Sequence, residues 1–217
     1  MTASKYDAAG SESEFEPGSR GRVLRNLLGI TRVSDINLAE SQALELVQEA
    51  ALDRFGHDHR FTADDICELH RMWLAPIYSW AGDYRRVNVG KSGFQFAHAP
   101  LIPRLMKELE IGALSRCTPC LNAGDAEIAR ALAEVHAELI LVHPFRDGNG
   151  RLARVLALLM ALQAGLPPLD YTPLAGTGKR AYIAGIHAAT GRNYVPLATM
   201  FEMVIARTRR RAASNER

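Results

Sequence analysis

The residues from His143 to Arg154 contain the chemical groups that a phosphate site needs. This stretch reads His-Pro-Phe-Arg-Asp-Gly-Asn-Gly-Arg-Leu-Ala-Arg and lies between two predicted helices. Gly148, Asn149 and Gly150 let the backbone turn closely, and the second helix begins at once. A helix N-terminus behind a glycine-containing turn binds anions, because its free N–H groups converge and the helix dipole favours negative charge. The stretch therefore predicts an anion site.

The side chains around this turn indicate which anion it is. Arg151 and Arg154 are three residues apart on the second helix, and forked arginine donors suit phosphate oxygens. Asp147 supplies the carboxylate through which Mg²⁺ is bound together with substrate phosphates. His143 supplies a base that titrates near neutral pH. We expect a nucleotide-binding enzyme.

Each of these residues also has an ordinary structural interpretation. A single histidine at a helix end is usually a hydrogen-bonded surface or core residue, and Asp-Gly-Asn-Gly is usually only a turn. Two arginines on one helix are usually solvated, and Gly-x-Gly alone is weak evidence for a nucleotide site. The combination within twelve consecutive residues favours the enzyme.

The same stretch resembles the defining motif of the Fic family at every specified position, His143-Pro-Phe-x-Asp-Gly-Asn-Gly-Arg151-x-x-Arg154. Residues 77–85, Ile-Tyr-Ser-Trp-Ala-Gly-Asp-Tyr-Arg, are similar to the family's segment leading into its flap hairpin. Asn88-Val-Gly-Lys91 and Phe96 continue that similarity. Residues 17–30 resemble the N-terminal lead-in of bacterial members, so that the similarity runs from about residue 17 to 205.

The resemblance implies a protein adenylyltransferase, which moves AMP from ATP onto a Ser, Thr or Tyr hydroxyl of a target protein. It makes His143 the base and Asp147 the Mg²⁺ ligand. Gly148, Asn149 and Gly150 would form the anion hole around the phosphates. The resemblance also implies that Arg151 steadies the phosphates and that Arg154 engages the γ-phosphate.

The resemblance further implies that the hairpin is a flap over the active site, with Phe94, Gln95 and Phe96 docking an extended target segment. Alternation of the two phenylalanines with Gln95 would leave an apolar edge suited to a peptide. Lys91, beside the turn, is a candidate contact for a phosphate or for adenosine. The alternative is a surface hairpin with no role beyond stability.

Helical periodicity dominates the chain and predicts an all-α fold with one short hairpin, the Fic-type helical bundle. The first helix runs from Asn37, with Leu38, Leu44, Val47, Ala51, Leu52 and Phe55 on its apolar face, to a stop at Gly56. A second helix runs from Thr62 to Pro76. Further helices are expected at about 101–114, 125–142, 150–164, 179–190 and 196–210. Strands are expected at 84–89 and 94–96, around the turn Gly90-Lys-Ser-Gly93.

The predicted organisation is a loose N-terminal segment over residues 1–34, a Fic domain over 35–206 and a basic tail over 207–217. One helical turn is expected at 23–28 within the first segment. Arginines dominate the tail, which we expect to be a solvated, frayed helix end. DNA binding by this tail is a distant alternative.

Composition limits the class of protein. The 217 residues have a net charge of +2 and are 47% hydrophobic, which predicts one folded unit without a nucleic-acid partner. No apolar run of 18 residues and no signal sequence occurs, so a cytoplasmic protein without a membrane partner is expected, with delivery to another cell as the open alternative. Three cysteines fit a reducing compartment. Cys67, His70, Cys117 and Cys120 could form a zinc site, but buried thiols are the preferred interpretation.

Two questions about function stay open in the sequence. One is whether the chain is instead a phosphotransferase like the related Doc toxins, or a nucleotide-binding interaction protein without turnover. The other is control, because many Fic proteins carry an inhibitory helix with the pattern Ser/Thr-x-x-x-Glu-Gly/Asn. Ser41-Gln-Ala-Leu-Glu45 matches five positions but is followed by Leu46, and a chance match is expected. A separate small antitoxin-like inhibitor is then the predicted partner.

Overall fold

The structure is a computed structural model and describes residues 7–8, 14–91, 93–121 and 124–215. Predictions that involve Ser92, or residues 1–6, 9–13 and 216–217, lie outside it. The chain divides into two compact units, and the predicted division into residues 1–34, 35–206 and 207–217 stays a prediction. The first unit comprises Met1–Arg54, Ala63–Lys107 and Val142–Leu152. The second comprises Phe55–Thr62, Glu108–Leu141 and Ala153–Arg217.

Helices make up most of the described residues, which confirms the predicted all-α class. The α-helices are α1 Val33–Arg54, α2 Ala63–Leu74, α3 Ile102–Leu109, α4 Ser115–Cys117, α5 Asp125–Val142, α6 Asn149–Gln163, α7 Lys179–Ala188 and α8 Val195–Asn215. Short 3-10 turns occupy Ala99–Leu101, Thr172–Leu174, Gly176–Gly178 and Ala189–Gly191. A π-helical turn at Glu110–Leu114 interrupts the single helix that was expected over 101–114.

In the first unit, α1 and α2 pack around a shared core that includes Trp73, Leu74 and Val47. The predicted apolar face of α1 was wrong in part, because Leu38 and Leu52 are 59% and 50% exposed. The buried positions on this helix are instead Ile36, Glu40, Val47 and Ala51. Hydrophobic periodicity could not locate this face correctly, since one of its members is a carboxylate.

Residues 14–32 make specific contacts, and the helical turn expected at 23–28 was wrong. Val23 is buried, and Phe15 forms an antiparallel bridge with Leu24. The side chain of Asn26 accepts hydrogen bonds from the N–H of Leu28 and of Ile30, at 3.2 and 2.9 Å. An amide side chain that satisfies nearby backbone groups in this way replaces a helical turn.

Three short strands form an antiparallel sheet in the first unit. β1 is Asp7–Ala8, β2 is Val89–Lys91 and β3 is Phe94–Gln95. β2 and β3 are the expected hairpin, with Gly90 opposite Gln95 and Lys91 opposite Phe94. β2 begins later than predicted, and β1 pairs with its other edge, a contact that the sequence analysis did not anticipate.

The second unit contains α5, α7 and α8. Leu174, Met200 and Val204 form one of its clusters, and Gln163 bridges the carbonyl of His59 and the N–H of Cys120. α8 stays helical through Asn215. Its basic residues form ion pairs, Arg207 with Asp170 at 2.8 Å and Arg209 with Asp125 at 2.7 Å. The expected solvation of these arginines agrees with their exposure, whereas the expected fraying was wrong, because the helix continues through Asn215.

Cys67, Cys117 and Cys120 carry free thiols. Within the described ranges, no cluster of three His, Cys, Asp or Glu side chains has the arrangement needed to hold a metal ion. Nor does any helix in that part of the chain have the length and apolarity needed to cross a membrane.

His136 makes the stability of the second unit depend on pH. Its ring is buried and makes hydrogen bonds with Ala153 O and with the Tyr182 hydroxyl, at 3.2 and 2.8 Å. Burial lowers the pKa of His136 from 6.5 to about 4, and the charge of Arg154 adds to the shift. Between these values the unfolded chain binds more protons than the folded chain, so stability falls as pH falls.

We expect His136→Gln to remove this dependence. Each pH unit below 6.5 costs the parent about 1.4 kcal/mol through this group, so the parent should lose about 2 kcal/mol more than the variant between pH 7 and pH 5. Urea unfolding at both pH values measures the difference, with the exposed His57→Gln as control. Equal losses in parent and variant would show that His136 does not resist protonation.

Candidate active site

The loop from Pro144 to Gly148 is closed by the side chain of Asn149. Its Oδ1 accepts a hydrogen bond from the N–H of Phe145 at 2.9 Å, and its Nδ2 donates to the Phe145 carbonyl at 2.8 Å. Asn149 is fully buried, so both bonds are protected from water. The predicted anion-hole residue therefore uses its side chain to shape the loop, and the binding of an anion by its backbone N–H stays a prediction.

Gly148 caps α6 and makes the close turn possible. Its carbonyl accepts hydrogen bonds from the N–H groups of Arg151 and Leu152, at 3.0 and 2.9 Å. The N–H groups of Asn149 and Gly150 precede the first intrahelical bond, so the helix itself leaves them without acceptors. Gly148 has φ +85°, and a Cβ there would lie 2.7 Å from Cζ3 of Trp73. Only glycine fits at this position.

His143 is held in a conformation that is rare for a residue with a side chain. Its φ is +51°, in the left-handed region, and the residue is buried. The imidazole stacks on the ring of Phe96, with centroids 3.6 Å apart and planes 11° apart. A left-handed non-glycine residue persists only where its surroundings fix it, and such residues cluster at functional sites.

Hydrogen bonds from Arg85 help to fix the backbone of His143 in this conformation. It is buried, and its guanidinium donates to the carbonyl oxygens of His143 at 2.7 Å and of Val142 at 3.4 Å. The same guanidinium donates to the carbonyls of Val87 and Ala97, at 2.6 and 2.5 Å. These last residues flank β2 and β3, so one side chain joins the hairpin to the backbone that carries His143.

His70 supports the loop from the other side. Its Nδ1 accepts from the N–H of Gly82 at 2.8 Å, which places the ring proton on Nε2, where it donates to the Asp147 carbonyl at 3.1 Å. The ring stacks on Phe145 with centroids 3.8 Å apart. Burial lowers the pKa of His70 to about 4, although the carbonyl and charge of Asp147 oppose the shift. His70 is therefore neutral at pH 7.

Asp147 and Arg151 lie side by side at the start of α6. Oδ1 of Asp147 accepts from the N–H of Gly148 at 2.7 Å and lies 3.9 Å from a terminal nitrogen of Arg151. The other terminal nitrogen of Arg151 donates to Oε2 of Glu40 at 2.6 Å. The guanidinium carbon lies 4.6 Å from the centroid of Trp73, in a cation–π contact.

Arg154 belongs to the second unit, three residues after Arg151 on α6. Its carbonyl accepts a hydrogen bond from the hydroxyl of Tyr171 at 2.7 Å. Its Nε is buried and has no hydrogen-bond partner within the described part of the chain. The predicted role of Arg154 at a γ-phosphate stays a prediction.

The predicted flap residues differ in their surroundings. Phe96 contacts His143 as described above, and Phe94 packs edge-on against Phe96 with centroids 5.3 Å apart. Gln95 and Lys91 are exposed on the sheet. Phe96 thus covers the candidate base, whereas the predicted contact of Lys91 with a nucleotide stays a prediction.

The first unit therefore brings together most of the predicted site, namely His143, Asp147, Gly148, Asn149, Gly150, Arg151 and Phe96. The sequence analysis did not assign to the site the residues that hold it, namely His70, Trp73, Arg85 and Glu40. A signal existed for Glu40, a charged residue four positions after Ile36 on the buried side of α1. A signal also existed for Arg85, because it is the last residue of the segment 77–85, which leads into the hairpin.

This arrangement can activate a hydroxyl beside a bound anion. His143 provides a nitrogen base at the mouth of the loop, and the N-terminus of α6 provides converging donors a few residues further on. Asp147 adds a carboxylate at the same end. Base, anion donors and a possible metal ligand within one short loop are typical of enzymes that transfer phosphorus-containing groups.

Comparison with known proteins agrees with this chemistry. Residues 60–161 match the sequence model of the Fic/DOC family. Protein adenylyltransferase VbhT of Bartonella schoenbuchensis is 30% identical over 165 residues, which cover 74% of this chain and 33% of that protein. This chain therefore spans about a third of the length of that relative.

Two further relatives are similar to this chain over most of their own length and most of its length. The probable protein adenylyltransferase y4lH of Sinorhizobium fredii is 28% identical over 194 residues, which cover 87% of this chain and 93% of that protein. The BepC protein of Bartonella tribocorum, a VirB-translocated effector crystallised with bound AMPPNP, superposes with a TM-score of 0.67. It is 22% identical and covers 83% of this chain and 91% of its own, a likeness that shows the fold.

We expect Arg85→Lys to destabilise the first unit. A lysine ammonium cannot reach the separate carbonyls that the guanidinium fork joins, and buried carbonyls left unsatisfied cost about 1 to 3 kcal/mol each. The free energy of unfolding in urea should fall by about 2 to 4 kcal/mol. Arg86→Lys, at the exposed neighbouring position, is the matched control. A loss below 0.5 kcal/mol for Arg85→Lys, a typical surface-substitution value, would contradict this role.

Proposed function

The chain belongs to the Fic/DOC family, and on that premise we propose that it transfers AMP from ATP to a Ser, Thr or Tyr hydroxyl of another protein. The single observation that carries the proposal is the fixed position of His143 beside the N-terminus of α6. The adenylyltransferase names of VbhT and y4lH, and the AMPPNP bound to BepC, support it.

The residues present fit the phosphates of ATP. A Cβ at Gly150 would meet no described atom within 4 Å, so the first turn of α6 has open space beside it for an anion that its backbone N–H groups could bind. Arg151 has a quarter of its side chain exposed beside that turn. We also propose, from its place three residues after Arg151 in the motif, that Arg154 engages the γ-phosphate.

Asp147 fits a magnesium ion that is shared with the substrate. The described part of the chain offers no group of three ligating side chains, so an ion here would need phosphate oxygens to complete its shell. Mg²⁺ is commonly bound through one or two carboxylates plus substrate phosphates. When bound, the ion would neutralise charge on the phosphates as the bond to the leaving group breaks.

In the proposed reaction, His143 takes the proton from the target hydroxyl as its oxygen attacks the α-phosphorus of ATP. The new O–P bond forms in line with the bond between the α-phosphorus and its bridging oxygen, which breaks and releases pyrophosphate. The donors of the loop and Arg151 stabilise the charge on the phosphates. No covalent intermediate with the enzyme is needed, so positioning accounts for most of the rate.

The hairpin is the proposed docking element for the target. Gln95 is exposed on β3, and an extended peptide could add to the sheet with main-chain hydrogen bonds. Phe96, which stacks on His143, links the position of β3 to the position of the base. This link would bring a docked hydroxyl towards the imidazole. Cytoplasmic location and the lack of a nucleic-acid partner stay predictions.

The position of the label in ATP distinguishes AMP transfer from the phosphotransfer of Doc-like relatives. We expect protein-bound label from α-³²P-ATP and none from γ-³²P-ATP after incubation with a bacterial lysate. Autoradiography after denaturing electrophoresis measures both. Label from the γ-position alone would support the phosphotransferase, and label from neither would support a non-catalytic nucleotide-binding protein.

We expect His143→Ala to abolish transfer and to leave ATP affinity within about threefold of the parent. The reason is that the imidazole acts on the incoming hydroxyl rather than on the phosphates. Calorimetric titration with ATP and transfer of α-label measure the two effects separately. His57→Ala, at an exposed position, is the control. Undiminished label transfer by His143→Ala would remove the proposed base.

We propose that a separate small protein restrains the enzyme. Glu45, in the incomplete inhibitory pattern, is exposed on α1 and is followed by Leu46 rather than Gly or Asn. An enzyme without an internal inhibitory glutamate would modify proteins of its host continuously, which would favour a small inhibitory partner.

This restraint predicts that expression of the chain alone slows the growth of bacterial cells, while equal amounts of His143→Ala do not. Growth curves and immunoblots of the soluble protein measure both. Normal growth with well-folded parent protein, together with higher label transfer by Glu45→Gly, would instead place the brake within the chain.

A further inference from the structure

Glu40 is a carboxylate on the buried face of α1. It is 4% exposed and shares that face with Ile36, Val47 and Ala51. A buried carboxylate is costly unless it is hydrogen-bonded and paired with a positive charge. Its contacts therefore indicate why a charge occupies a position where the helix pattern calls for an apolar residue.

Both carboxylate oxygens of Glu40 accept hydrogen bonds. Oε1 accepts a hydrogen bond from the hydroxyl of Tyr78 at 2.6 Å, and Oε2 accepts one from Arg151 at 2.6 Å. The carbonyl of Glu40 accepts from Nε1 of Trp73 at 2.8 Å, which ties this turn of α1 to α2. The carboxylate is thus held on one side by the core and holds Arg151 on the other.

The contact with Glu40 fixes the direction of the Arg151 guanidinium. One terminal nitrogen is bound to Glu40, one face lies over Trp73, and the other terminal nitrogen is 3.9 Å from Asp147. Because the guanidinium is planar, contacts that fix one nitrogen and one face also fix the direction of the remaining N–H donors. They point along the side of the group that faces the Asp147 carboxylate.

We infer that Glu40 is a positioning residue, which acts through Arg151 to aim that guanidinium at the phosphates of the bound nucleotide. The inference rests on the proposed function, since it needs a nucleotide beside Gly148. Glu40 itself would touch no substrate. A free arginine at this place would lose much side-chain entropy on binding a phosphate, and the contact with Glu40 removes that loss in advance.

The opposite interpretation is that Glu40 is a brake, which neutralises Arg151 until it is displaced. The contacts favour positioning. The bonds to Tyr78 and to Nε1 of Trp73 hold the residue in the core, whereas a brake would have to move away from Arg151. The bond to Glu40 also occupies a single terminal nitrogen of Arg151, which leaves the opposite edge of the fork for a phosphate.

The test compares Glu40→Gln with Glu45→Gln, which removes an exposed carboxylate from the same helix. Calorimetry measures the affinities of the purified chain for ATP, ADP and adenosine in the presence of Mg²⁺. We expect Glu40→Gln to weaken ATP and ADP binding at least tenfold and adenosine binding less than twofold. Glu45→Gln should match the parent for all three ligands.

A double variant tests whether Glu40 acts through the arginine. If it does, adding Glu40→Gln to Arg151→Gln should weaken ATP binding by less than twofold beyond Arg151→Gln alone. Tyr78→Phe, which removes one bond to the carboxylate, should lower ATP affinity by less than Glu40→Gln and leave adenosine affinity unchanged. If Glu40→Gln does not fold by circular dichroism, Tyr78→Phe decides the question with the same measurements.

Three results would overturn the inference. They are unchanged ATP affinity in Glu40→Gln, tighter ATP binding as expected of a released brake, and an equal loss for ATP and adenosine as expected of general damage. Failure of the proposed function is distinguishable, because the parent would then bind no ATP or transfer no α-label.

Discussion

The candidate site depends on the pair of hydrogen bonds between the Asn149 side chain and the backbone of Phe145. These bonds close the loop between a helix that ends before His143 and a helix that begins at Asn149. Because both bonds are buried, breaking them would leave the amide of Asn149 and the backbone of Phe145 without hydrogen-bond partners and away from water. Such a loss costs several kcal/mol. The position of the base relative to the N-terminus of α6 is therefore a property of the fold.

The surrounding contacts are of the same kind. Buried polar side chains form hydrogen bonds with backbone groups of the loop or with its charged side chains. Arg85 binds the carbonyl of His143, and neutral His70 binds the carbonyl of Asp147. Glu40 then fixes Arg151, whose guanidinium lies over the ring of Trp73. Base, carboxylate and arginine each owe their place to a residue outside the motif, so that most of the expected catalytic effect is preorganisation.

Sequence reasoning predicted the helices, the hairpin and the residues of the motif, because their patterns are local. It placed α5 at its observed bounds and recognised the turn at Gly148. It missed Glu40, since periodicity counts apolar residues and this buried position carries a charge. The roles of Arg85 and His70 were missed for a related reason, because the site carbonyls they bind, those of His143 and Asp147, are more than fifty positions away in the chain.

The most direct test of the central claim is mass spectrometry of proteins from cells that express the chain, compared with cells that express His143→Ala. The account predicts an AMP adduct on a Ser, Thr or Tyr hydroxyl that is present with the parent and absent with the variant. A phosphate adduct alone, or the same AMP adduct in both samples, would contradict the account of a loop built to hold ATP beside His143.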